Sequence, residues 1–401
     1  MAEGDIVTGQ DKSNVPVKPE IQTASSPVEF IATDRLAPPP REGIALCLSG
    51  GGYRAMLFHV GTLLRLNEFG LLPKIDRISS VSGGSIIAGV LGLKWGKLDF
   101  QNGVAANLQN EVVGPIRRLA AKTIDVFGVL GGLVAGGAAN VIAHEYRNYL
   151  FDNATLQDLP DPKPRFVINA TNVQSKALWR FSRPYMWDWR VGKVSNPKIE
   201  LSVAVAASSA FPPVLSPLEL RLDPKDFVPN TGYDLQREPY TSDVILTDGG
   251  VYDNLGLETA WKDYLTIWVS DAGGMYAAEE HPHRDPVRHT LRILDLLDNQ
   301  VRSLRKRQVI GSFECGIRKG AYWSIWEDIA QFKVRTPLVC PLAKTEKIAK
   351  IPTRLEGLDA EDQEKIINWG YAICDAAMRK YGGVDPRQEP TQFPYPSIGV
   401  G

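Results

Sequence analysis

The chain has 401 residues, 44% hydrophobic and 23% charged, enough apolar mass for one large domain or two ordinary ones. Lys and Arg number 45 against 46 Asp and Glu, a formal charge of −1, so a dedicated nucleic-acid binder is not expected. Four cysteines (Cys47, Cys315, Cys340, Cys374) without a CxxC pair exclude a disulfide scaffold and a Cys-type zinc module. The first residues show no basic segment leading into an apolar run. No signal peptide is therefore expected, and a cytoplasmic location is the default.

Residues 1–40 carry six prolines and no sustained periodicity, which predicts a disordered or loosely ordered leader. GIALCLSG (43–50) reads as a buried strand stopping at a glycine cluster, and Ala55–Phe69 as an amphipathic helix closed by Gly70 and Pro73. RISSVS (77–82) is a second strand and Gly84–Trp95 a second helix. Further strands are predicted at 165–173, 242–249 and 265–272, and a last amphipathic helix at roughly 361–381. Strands alternating with helices predict an α/β fold with a mostly parallel central sheet. The domain is expected to run from 41 to 382 with a cap or lid insertion near 99–160, leaving a Pro/Gly-rich tail at 383–401.

Three glycine-rich turns follow three of these strands, at the edge where open α/β sheets bind ligands. The first, Ser49-Gly50-Gly51-Gly52-Tyr53-Arg54-Ala55, opens a helix and forms a concavity of backbone N–H groups. A dinucleotide fingerprint would need an acidic residue ending the next strand, and a nucleotide P-loop a Gly-Lys-Ser/Thr; neither is present. An oxyanion hole remains. The second turn, Ser80-Val81-Ser82-Gly83-Gly84-Ser85, matches GxSxG with Ser80 in place of the first glycine. It reads either as a nucleophile elbow or as a serine capping a helix. The third, Asp248-Gly249-Gly250, could present a carboxylate to the same crevice or form an Asx turn, and Asp271-Ala272-Gly273-Gly274 is its close rival.

Together SGGGYRA (49–55), SVSGGS (80–85) and DGGVYDNLG (248–256), with AASSAFPP (206–213), resemble the patatin-like phospholipase family. The resemblance implies a three-layer α/β/α hydrolase that cleaves acyl esters of lipids with a Ser–Asp dyad. It makes Ser82 the nucleophile and Asp248 the general base. The oxyanion hole would come from Gly50, Gly51, Gly52 and Tyr53, with Arg54 adding positive character. Ser80, Gly83 and Gly84 would shape the elbow, and Gly249 and Gly250 the DGG turn.

The residues themselves leave alternatives. Serine needs an adjacent base, and His281, His283 and His289 lie downstream of the carboxylates, so a Ser–Asp–His esterase or acyltransferase is a second reading. A catalytically silent lipid-binding regulator is a third. His59, inside the first helix, reads as structural. No cluster has metal-ligand spacing, so neither metal nor cofactor is expected. The expected partner is a phospholipid or other acyl lipid, met at a peripheral membrane surface.

Two segments bear on that surface. Residues 126–143 are 18 uncharged residues, five of them glycine, read as a buried or cap helix, then a lid, then a span. LRILDLLDNQVRSLRKRQ (291–308) is helical in period and basic. It reads as a membrane-surface helix or, more plainly, as a core helix with a solvated face.

Overall fold

The computed structural model describes residues 40–124, 137–274 and 278–401. The expected leader, apart from Pro40, and most of the uncharged run at 126–143 lie outside the described residues.

Five strands stand within two residues of their predicted limits: β1 (Arg41–Leu48), β2 (Arg77–Val81), β5 (Arg165–Asn172), β10 (Asp243–Asp248) and β11 (Tyr264–Asp271). Between them lie a small hairpin, β3 (Phe100–Gln101) and β4 (Val104–Ala105), then β6 (Ala177–Phe181), β7 (Tyr185–Asp188), β8 (Gly192–Ser195) and β9 (Leu218–Arg221). β12 (Lys319–Ser324) follows. The helices that matter for the site are α1 (Gly52–Glu68), α2 (Gly83–Lys94), α3 (Leu201–Ser208), α4 (Pro286–Glu314) and α5 (Ala360–Tyr381).

The sheet runs β12-β11-β1-β2-β5-β6-β7-β8. Pairing is parallel from β12 to β5 and antiparallel beyond it. The parallel strands are buried on both faces. Along β1, Leu46 and Leu48 join the core shared with α1, α2 and α5, whereas Ala45 and Cys47 join a smaller core with Leu255, Tyr264 and Val309. Helices thus cover both sides, the three-layer arrangement that the family resemblance implies.

The topology does one thing for the site. β5 pairs in parallel with β2 over its first half, ending at Val81–Asn169, and antiparallel with β10 over its last residues, beginning at Asp248–Ala170. β6 occupies the opposite edge. β2 and β10 therefore run toward each other along one edge of β5, and their carboxyl ends meet beside consecutive residues.

Within the expected insertion, Val112, Ile116, Ala139, Ile142, Tyr146 and Phe151 are buried in the main core. The tail folds back on α5, where the Asn368 side chain pairs with the backbone of Tyr395 in both directions, at 3.0 and 2.8 Å. No helix among the described residues is long and apolar enough to cross a membrane.

Candidate active site

Ser82 sits on the sharp turn between β2 and α2 with φ 51° and ψ −120°, a conformation an L-residue adopts at a cost of about 1–3 kcal/mol. It occupies the N-cap position of α2, yet its hydroxyl makes no capping hydrogen bond. The capping reading fails, and the oxygen is left to other work. Tight packing enforces the turn: a Cβ on Gly83 would lie 2.1 Å from the Gly52 carbonyl oxygen, so only glycine lets the elbow and the glycine loop touch. Ser80, the departure from GxSxG, fits without strain because its buried hydroxyl accepts from Ser85 Oγ at 3.0 Å.

The end of α3, part of AASSAFPP, ties the elbow to the DGG turn. Ser208 Oγ accepts from the Ser82 N–H and donates to the Asn169 carbonyl, at 2.9 and 2.6 Å. Its carbonyl receives the Gly249 N–H, and the Ala210 carbonyl receives the Asp248 N–H. Two motifs far apart in the chain are thereby referenced to a single turn of backbone. Sequence reading quotes the segment but does not single out Ser208 or Asn169.

Asp248 is 2% exposed and Ser82 9%. Asp248 Oδ1 accepts from the Gly250 N–H at 2.6 Å, while Oδ2 has no partner of full hydrogen-bond geometry. Burial raises its pKa to about 7 against the opposing pull of the Gly250 N–H and the Ser82 hydroxyl, with a further rise from Asp298. The Ser82 contact is thus close enough to act on the carboxylate yet loose, as resting catalytic contacts often are.

The rival carboxylate is built oppositely. Asp271 accepts from Tyr322 Oη at 2.7 Å and the Gly273 N–H at 2.9 Å, and faces Arg302 at 3.5 Å. Although burial opposes it, these partners lower its pKa and hold it ionised. It is a structural anion.

The glycine loop departs in part from expectation. Gly51 and Gly52 both have positive φ, at 137° and 58°, and among the described residues their N–H groups donate no hydrogen bond. The Gly50 N–H, however, is spent on the Asn254 carbonyl and the Tyr53 N–H on the Arg354 carbonyl, each at 3.1 Å. Neither can serve an oxyanion as it stands. Arg54 is buried and its guanidinium donates to the carbonyls of Ala349, Ile351 and Ala272. It staples the loop to later segments instead of presenting charge to the crevice.

His59, buried, lies between Ser270 Oγ (2.9 Å) and the Ser49 carbonyl (3.0 Å), with burial pushing its pKa down to about 4. It is a neutral strut. His281, His283 and His289 are exposed, and among the described residues no histidine bonds to Ser82 or Asp248. Sequence reading misses Tyr146 altogether. Its buried phenol has no partner of full geometry, and the nearby Asp248 charge adds to the burial that raises its pKa.

The lysophospholipase NTE1 of Cryptococcus neoformans var. neoformans serotype D is 24% identical over 224 residues, 55% of this chain and 12% of that protein. The putative meiotic phospholipase SPO1 of Saccharomyces cerevisiae is 48% identical over 52 residues, 13% of this chain and 8% of its own length. The chain therefore spans only a small part of these relatives. Human GIVD cytosolic phospholipase A2 superposes with a TM-score of 0.47 at 14% identity, covering 82% of this chain and 58% of that one. The model of the family described as patatin-like phospholipase matches residues 46–261, more than half the chain and all three glycine-rich turns, and the chain belongs to that family.

Proposed function

We propose that this protein is a lipid acyl hydrolase that cleaves fatty-acyl esters of phospholipids or lysophospholipids through an acyl-Ser82 intermediate, with Asp248 as general base. The observation that carries the reading is a strained, uncapped serine facing a buried carboxylate poised near neutrality with one oxygen unsatisfied.

As Ser82 Oγ bonds to the ester carbonyl carbon, its proton passes to Asp248. The carbonyl oxygen becomes an oxyanion facing the Gly51 and Gly52 N–H groups, where one such donor is worth roughly 3–4 kcal/mol. Collapse breaks the acyl–oxygen bond, and the departing alcohol takes the proton from Asp248. Water then attacks the acyl-serine, again losing its proton to Asp248, and Ser82 regains its hydrogen as the fatty acid leaves. A carboxylate of ordinary pKa would be a feeble base toward a hydroxyl, and the rise to about 7 narrows that gap.

The test is product analysis by mass spectrometry on phosphatidylcholine and lysophosphatidylcholine with wild type, Ser82→Ala and Asp248→Asn. Free fatty acid from wild type alone is expected. Turnover by Ser82→Ala at the wild-type rate would remove Ser82 from the reaction.

A further inference from the structure

Buried polar groups are nearly always paired, and one left unpaired calls for a reason. Tyr146, the last residue of the helix Gly137–Tyr146, is fully buried in the main core. Among the described residues its phenol oxygen has no partner of full hydrogen-bond geometry. Ser209 Oγ lies near enough to act on it, but that hydroxyl already donates to the Val205 carbonyl at 2.9 Å. Burial, with the Asp248 charge adding to it, keeps the phenol protonated. Tyr146 thus carries a donor that nothing fully accepts.

The neighbours of that donor belong to the dyad. The helix packs on α3. Ser209, which the phenol meets, directly follows Ser208, the acceptor of the Ser82 N–H. Ala210, one residue on, accepts the Asp248 N–H. Opposed residues of an antiparallel pair point to one face, so Asp248 leaves the sheet on the side of its partner Ala170. Ala170 lies in the same core as Tyr146. The Asp248 charge reaches the phenol, yet the two groups are not bonded to each other, and Asp248 Oδ2 is unsatisfied as well. The alkoxy oxygen of an ester needs both groups: a donor while charge grows on it, and a carboxyl to give it a proton. The Gly51 and Gly52 N–H groups serve the other oxygen, that of the carbonyl.

We propose that Tyr146 is a further catalytic residue, whose phenol donates a hydrogen bond to the ester's alkoxy oxygen as the acyl–oxygen bond breaks. The phenol keeps its own hydrogen. The proton that the departing alcohol takes is still the one Ser82 gave to Asp248. This deepens the lipid-hydrolase reading and rests on it.

The test compares wild type with Tyr146→Phe on two esters of the same acyl chain, decanoyl-lysophosphatidylcholine and p-nitrophenyl decanoate. The first expels a strongly basic alkoxide, and the second a phenolate that leaves without help. Values of kcat/KM report the steps up to formation of the acyl-serine and are free of deacylation. Tyr146→Phe is expected to lower kcat/KM for the lysophospholipid at least about tenfold and to leave that for the p-nitrophenyl ester within about twofold. Its denaturation midpoint should not fall below that of wild type, because the lost hydroxyl has no full partner in the folded protein. Equal slowing of both esters, an unslowed lysophospholipid, or a lowered midpoint overturns the proposal and leaves the hydrolase reading standing. Wild type that hydrolyses neither ester defeats the hydrolase reading, and the proposal falls with it.

Discussion

Replacing Asp248 by Asn removes a charge while keeping the shape, and its consequences for activity and stability should run in opposite directions. The amide oxygen can still accept from the Gly250 N–H, and the amide nitrogen takes the place of the unsatisfied Oδ2. The folded-state pKa of about 7 lies above the ordinary 3.8 because burial penalises the anion. Between these values the folded protein keeps a proton that the unfolded chain has lost. The native state is therefore best supported below the lower value, and support drains away as pH rises through 7. Three pKa units at about 1.4 kcal/mol each give a cost of about 4 kcal/mol for the native carboxylate at pH 8. The same relation leaves about 2 kcal/mol at pH 5.5. Asp248→Asn should then melt above wild type, with the advantage growing by about 2 kcal/mol from pH 5.5 to 8, read by denaturant titration at both. Its kcat should fall by at least about a thousandfold, while wild-type kcat/KM climbs with pH and levels off above about 7. A stability gap that does not vary with pH, or a wild-type profile flat from pH 5 to 8, would refute the buried-base argument.

Three further outcomes are expected. Ser208→Ala leaves the buried Ser82 N–H without its acceptor, so stability should drop by about 1–3 kcal/mol and kcat by about tenfold, with KM little changed, in denaturant titration and steady-state kinetics. Gly83→Ala must push the elbow off the Gly52 carbonyl, and kcat/KM should fall at least about a hundredfold, the scale of losing one oxyanion donor. The combined His281→Ala, His283→Ala and His289→Ala variant should keep kcat within about twofold, since all three side chains are exposed; loss of turnover would restore the triad.

What is legible in the chain is local. The runs at 43–50 and 265–272 are largely apolar because parallel strands are buried on both faces, and that pattern needs no partner to be recognised. β6 to β8 escape such a reading because each is only four or five residues long and depends on its neighbours for its hydrogen bonds. The three glycine-rich turns are equally visible, since glycine and small residues are demanded by backbone shape at the place where they occur.

Which groups meet at those turns is another matter. One-dimensional spacing cannot choose between Asp248 and Asp271, because both end strands and stand just ahead of paired glycines; the choice rests on Tyr322 and Arg302 satisfying one and nothing fully satisfying the other. The same holds for the loop at 50–54, where Asn254 and Arg354, remote in sequence, consume two of the expected donors. Helix α4 shows the limit most plainly. Periodicity reveals that a helix has two faces, but only packing decides which one turns inward, and here ion pairs to Asp253, Glu258 and Glu327 turn the charged face to the body. Sequence determines what a segment prefers to be, because those preferences are short-ranged; tertiary contacts determine what its side chains are left free to do.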